Sequence, residues 1–89
     1  MEKTIQAIVD RLRSIADETG YKIYLEVCKA SGHGLGVYAK DVSNILNIKP
    51  NCVAYHLRKM ERSGVVYRKH IGNRSLYVLN KVHIVLIGI

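Results

Sequence analysis

The sequence predicts an α+β domain in which three to four helices precede a C-terminal β-hairpin. Three observations carry that expectation. Apolar residues recur at three- and four-residue spacing through the first part of the chain. A proline, Pro50, and a glycine, Gly64, bracket an amphipathic stretch as a first-turn residue and a C-terminal cap would. Beyond Gly64 the pattern changes to β-branched and aromatic runs interrupted by Gly-Asn. At 89 residues the chain suits a single domain, residues 1–89, with one modest core.

The elements follow in order. Ile5, Ile8, Val9, Leu12, Ile15 and Ala16 form an apolar stripe that predicts a helix from Glu2 to Thr19, with Gly20 placed to end it. A second helix is expected over Tyr21–Ala30, with Ile23, Tyr24, Val27 and Cys28 inward. "SGHGLG", Ser31 to Gly36, has three glycines in six residues and reads as a loop. Val37 to Ala39 suits a very short strand. A brief helix is then expected over Lys40–Leu46, burying Val42, Ile45 and Leu46, and Asn47 and Ile48 turn the chain. The next helix starts at Pro50, whose missing N–H costs nothing in a first turn, and runs to about Ser63, where Gly64 closes it. Lys49 sits at the N-cap, a poor capping residue, which is consistent with a position kept for phosphate. "VVYRKH", "IGNR" and "SLYVLN" make the hairpin, with its tip over Ile71–Ser75. The closing "KVHIVLIGI", residues 81–89, is apolar and β-branched and reads as a strand.

Charge is distributed unevenly. The formal net charge is +7. Residues 1–36 hold five basic and five acidic side chains, whereas residues 37–89 hold nine basic ones against Asp41 and Glu61. A field so one-sided attracts polyanions, nucleic acid first among them. The apolar end "IVLIGI" is far too short to cross a bilayer, and the first ten residues lack the apolar core of a signal peptide. The expected location is therefore cytoplasmic, with no membrane partner, and the "NRS" sequon at Asn73 is a chance match. No carboxylate pair, phosphate-binding glycine loop or nucleophile–base pair indicates an enzyme; "GHGLG" lacks the lysine and the strand–helix setting of such a loop. No cofactor and no metal are expected, since the four histidines lie 23, 14 and 13 residues apart, without ligand spacing.

The helix beginning at Pro50 carries the chemistry. With about 100° per residue, Val53, Leu57 and Met60 fall on one side as a buried stripe. Asn51, Tyr55, Arg58 and Arg62 fall opposite, with Lys59 and Cys52 beside them and His56 on the rim. Arginine bridges a guanine edge or a phosphate, asparagine pairs with adenine, and tyrosine reaches phosphate or a thymine methyl. A basic hairpin bearing Arg68, Lys69 and Arg74 follows directly.

A short helix, a turn, a longer helix, a glycine and a two-stranded ribbon together resemble the winged helix-turn-helix of small transcription regulators. The segment "VYAKDVSNILNIKPNCVAYHLRKMERSGVVYRKHIGNRSLYVL" is similar in layout to the arsenic-repressor type, most specifically over Val53–Val66. In size and layout the chain also resembles small DNA-binding proteins of thermophilic archaea and their viruses. The resemblance covers residues 21–79 as a winged-helix core, leaving 1–20 as a dimerisation helix and 80–89 as an apolar tail. It implies that Lys49 to Arg62 is a recognition helix for a DNA major groove, with Lys49, Asn51, Cys52 and Tyr55 toward the bases. His56 matches a recurrent histidine of the family, and the helix angle also allows it to pack at the domain's edge. Arg58, Lys59 and Arg62 would clamp phosphates, and Arg68, Lys69, Asn73 and Arg74 would bring the wing to the backbone or minor groove.

Metal-sensing members of that type carry a cysteine pair near the helix before the turn, where this chain has "KDVSNIL". Cys28 and Cys52 are either two reduced side chains or a disulfide within or between chains. The leading expectation is a homodimeric, sequence-specific regulator acting on double-stranded DNA. A protein–protein interaction module and a sequence-blind DNA or RNA binder are the alternatives.

Overall fold

A computed structural model describes residues 2–81. The chain runs α1 (Glu2–Ser14), α2 (Glu18–Ser31), β1 (Val37–Tyr38), α3 (Ala39–Leu46), α4 (Pro50–Ser63), β2 (Val66–Ile71) and β3 (Arg74–Leu79). The strands form one antiparallel sheet in the order β1-β3-β2. The strand expected over residues 81–89 lies, from residue 82 onward, outside the described residues.

The first helix is shorter than its apolar stripe implies. It stops at Ser14, and Asp17 starts a new helix by accepting the Gly20 amide on Oδ1 at 2.6 Å. An aspartate at an N-cap satisfies a backbone donor that a continuous helix would not leave free. Gly20, expected to end the first helix, instead lies buried in the first turn of the second. A Cβ on Gly20 would stand 3.3 Å from the imidazole of His56, so the small residue lets α2 approach α4.

Helix α3 is rotated from its expected face. Val42 is buried and Leu46 packs against the core, but Ile45 is 65% exposed and Ser43 is buried in its place. The turn accounts for this. Ser43 donates its hydroxyl to the Ile48 carbonyl, and its own carbonyl accepts the Ile48 amide at 3.1 Å. Asn47 takes the left-handed conformation, φ 54, which asparagine tolerates better than most residues.

Helix α4 has the expected bounds. Val53, Leu57 and Met60 are fully buried beneath α2, α3 and the sheet. Gly64 ends it at φ 87, where an L side chain is strained and where a Cβ would come 2.7 Å from the Arg11 guanidinium. Helix α1 lies along α4, joined by the Ser63 hydroxyl donating to the Ser14 hydroxyl at 2.9 Å. Tyr24 fills the space beside Cys28 in α2, and burial pushes its phenol well above the usual tyrosine range.

The hairpin pairs Ile71 with Arg74 and Val66 with Leu79 across a two-residue loop, Gly72-Asn73. Gly72 has φ 62, which fits a type II′ turn led by glycine. Cross-strand partners share a face, so Val66, Leu79 and Tyr77 point into the core, and Arg68 lies on the same face of the ribbon but is exposed at its edge. Lys69 and Arg74 point to the opposite face, on which Tyr38 of β1 stands beside Leu76.

Leu57→Ala removes the centre of the buried stripe and should destabilise the domain by about 2–5 kcal/mol in urea unfolding. A wild-type midpoint would mean that α4 is not packed through this face.

Candidate nucleic-acid interface

Burial of Val53, Leu57 and Met60 fixes the rotation of α4, and the side chains opposite them are thereby turned outward. Asn51, Arg58 and Arg62 are exposed, and Tyr55 is 51% exposed. Lys49 occupies the N-cap with no side-chain capping bond, and its carbonyl accepts the amides of Cys52 and Val53. Its ammonium group lies at the exposed start of the helix. Cys52 is half-buried on the flank.

Tyr55, Arg58 and Arg62 share a concavity with Glu61 and with Arg68 of β2. The helix face and the ribbon therefore meet in one surface. Lys69 and Asn73 are exposed farther along the ribbon. The surface gathers cationic and hydrogen-bonding groups around a single aromatic ring, the chemistry that engages a phosphate backbone and base edges.

Three of the expected contact residues stand elsewhere. His56 is only 7% exposed, packed edge-on against Tyr55 with ring centroids 5.2 Å apart. Its Nδ1 lies 4.0 Å from Asp17 Oδ2 and makes no hydrogen bond among the described residues. It packs at the edge of the domain, against the start of α2, the second of the two placements its helix angle allows. Lys59 leans the same way, with Nζ 4.0 Å from Asp17 Oδ2 and 6.0 Å from the Tyr55 ring centre. It lines a second concavity with Asp10, Arg13, Ser14, Arg62 and Ser63, between α1 and α4. Arg74 is folded back onto the protein, its guanidinium 3.6 Å above the Tyr38 ring and 3.8 Å from Asp41 Oδ2.

Residues that the sequence did not single out complete the surface. Asp17 caps α2 with one carboxylate oxygen and faces two side chains of α4 with the other. Asp41 and Glu61 face Arg74 and Arg68, the second pair at 3.5 Å. The one visible signal for the last two was their isolation as the only acids of the basic half.

Both cysteines are free. Burial pushes the Cys28 thiol up, against an opposing hydrogen bond with Tyr24. Among the described residues no three His, Cys, Asp or Glu side chains come together as a metal site, and no helix is long and apolar enough to cross a membrane.

Asp17→Ala should cost about 0.5–2 kcal/mol in urea unfolding through loss of the cap, whereas Asp17→Asn keeps an acceptor and should recover most of it. Equal losses would assign the stability to the charge facing His56 and Lys59 instead.

No protein-family profile matches the chain. Over 67 residues, 75% of its length, it is 36% identical to an uncharacterized HTH-type transcriptional regulator, MJ1398, of Methanocaldococcus jannaschii. The matched segment is 16% of that relative's own length. Among solved structures, an ArsR-like transcriptional regulator from Rhodococcus superposes with a TM-score of 0.78 at 20% identity, over 92% of this chain and 73% of the other. The homodimeric winged helix-turn-helix DNA-binding domain of Mb0332 from Mycobacterium bovis, a possible ArsR-family regulator, superposes at 0.73 and 13% identity, with the same coverage of each. Four helices, a tight turn between α3 and α4, and a sheet ending in the β2–β3 ribbon thus constitute the winged helix-turn-helix fold, in the arrangement seen in ArsR-like regulators.

Proposed function

We propose that this chain binds double-stranded DNA with sequence preference, as a homodimeric transcription regulator of the cytoplasm that performs no catalysis. One observation carries the reading: the side of α4 opposite its buried stripe exposes Asn51, Tyr55, Arg58 and Arg62 next to a basic ribbon. Helix α4 enters the major groove by its N-terminal half. There Lys49, Asn51, Cys52 and Tyr55 approach base edges and the adjoining phosphates. Arg58 and Arg62 bind phosphates farther along the helix, and Lys69 and Asn73 bring the wing to the backbone. The regulators among the relatives, one of them a homodimeric DNA-binding domain, support the same reading.

The dimer rests on α1. Ile5 is 59% exposed and Leu12 46%, with Ile8 and Val9 half-buried between them, an apolar stripe that a second chain can cover. The apolar tail expected to share in the dimer, residues 84–89, lies outside the described residues. Two-fold symmetry then places two recognition helices about 34 Å apart, one turn of B-DNA, and calls for a roughly palindromic site.

Selection of bound fragments from a random duplex pool tests the assignment. A regulator enriches particular sequences by several kcal/mol over bulk DNA. Uniform recovery would mean a sequence-blind binder, and no retention at moderate salt would mean a protein-docking module. On the enriched site, Asn51→Ala and Tyr55→Ala should each cost about 1–3 kcal/mol and less on random duplex. Arg58→Ala and Arg62→Ala should weaken all duplexes alike and flatten the salt slope by about one unit each. Equal losses everywhere for the first pair would reduce them to positioning contacts, and unchanged slopes for the second would remove them from the interface. For the dimer, sedimentation should give dimers of the intact chain and monomers of a chain ending at Asn80. A monomeric intact chain at tens of micromolar would refute the symmetric site.

A further inference from the structure

Residues 37–89 contain nine basic side chains and only two acids, and both acids face arginines of the wing. They do so from opposite sides of the ribbon. Arg68 points to the core face, where its Nε lies 3.5 Å from Glu61 Oε2 on α4. Arg74 points to the other face, where Asp41, in the first turn of α3, lies 3.8 Å away and the Tyr38 ring supports the guanidinium from below at 3.6 Å. Lys69 and Asn73, between these arginines, have no such partner among the pairs described. The remaining acids belong to the half of the chain that is neutral overall.

Ion pairs this exposed are weak, so each carboxylate competes with an incoming phosphate for its arginine without excluding it. A phosphate is a stronger acceptor for guanidinium than a carboxylate in the same place, because it offers more charge and a matching geometry. A duplex seated by base contacts presents its phosphates at fixed points and can displace the carboxylates. An unseated duplex presents them at shifting points, which only an arginine free to change rotamer can follow.

We propose that Asp41 and Glu61 are specificity-determining residues that hold Arg74 and Arg68 on the protein, so that the wing adds little to binding of non-matching DNA and its full charge to a matched site. The proposal rests on the DNA-binding reading above. It assigns the two carboxylates a role that neither touches a base nor stabilises the core. The occupied arginines are a reserve of charge, released by correct seating.

Affinity for the selected duplex and for a random one, measured by fluorescence anisotropy from ~50 to ~200 mM salt, tests it. Asp41→Asn and Glu61→Gln should each bind random duplex more tightly, with a salt slope about one unit steeper, equivalent to about fourfold more loss across that range. The preference for the selected duplex should fall correspondingly. Arg74→Ala in the Asp41→Asn background should cancel the gain, because no released arginine remains. Glu18→Gln, which removes an exposed acid on α2, should leave the slope unchanged. Because Asp41 also sits in the first turn of α3, Asp41→Ser serves as a second variant, and thermal melts confirm that each is folded. A gain that persists without Arg74, or equals that of Glu18→Gln, would reduce the effect to net charge and overturn the proposal. Unchanged slopes in variants of a protein that binds DNA would overturn it alone. A wild type that retains no duplex would overturn the DNA-binding reading and this proposal together.

Discussion

Helix α4 must be the centre of the core and the outer face of the molecule at once. Val53, Leu57 and Met60 are completely removed from solvent, each contributing about 1.5–3 kcal/mol by burial, a large part of the net stability of a domain this size. That burial locks the rotation of the helix, and every side chain on the opposite side acquires a fixed direction without any interaction of its own. The other elements each restrain α4 at a different point. Helix α1 meets it at Ser63, α2 at His56, α3 across the turn at Asn47, and the sheet through Gly64 and Val65. Exposed positions on α4 contribute little to this packing, so they can change with little loss of fold.

Which parts were legible follows from how local their causes are. Pro50 and Gly64 act through their own backbone chemistry, and α4 starts and stops where they stand. The hairpin was equally legible, because Gly72-Asn73 dictates a turn and the strands alternate around it. The break between α1 and α2 was not, because an apolar stripe passes through Ile15 and Ala16 without interruption. Only the Asp17 carboxylate, choosing the Gly20 amide, decides against a continuous helix. The rotation of α3 depended on a hydroxyl at Ser43 that the turn required, which hydropathy ranks below Ile45.

The candidate surface shows the same division. Asn51, Tyr55, Arg58 and Arg62 could be placed by helix phase alone, since the buried stripe is unambiguous. His56 could not, because its fate depends on Asp17 and Gly20, which come from another helix and approach only in the folded chain. Arg74 is a stronger case. Its position at the ribbon tip was correct, but long side chains follow their nearest countercharge and aromatic support, and Asp41 and Tyr38 supply both from elements far earlier in sequence. Backbone placement is thus recoverable from local pattern more readily than the direction of a flexible cation.

The sheet order β1-β3-β2 leaves β2 at an edge, and β1, only two residues long, covers part of the other side of β3. Alternate residues of this six-residue strand turn their backbone groups away from β3, toward an edge that no other described strand covers, an invitation to another strand. Tyr67 and Ile71 on that strand are half-exposed and β-prone, the composition from which intermolecular sheets nucleate. Arg68, Lys69 and His70 lie between them, and a second copy approaching in register would bring like charges together. The ribbon's basic residues therefore also act as gatekeepers against self-assembly. A variant made less cationic to weaken its attraction for polyanions would lose part of its protection from aggregation at the same time.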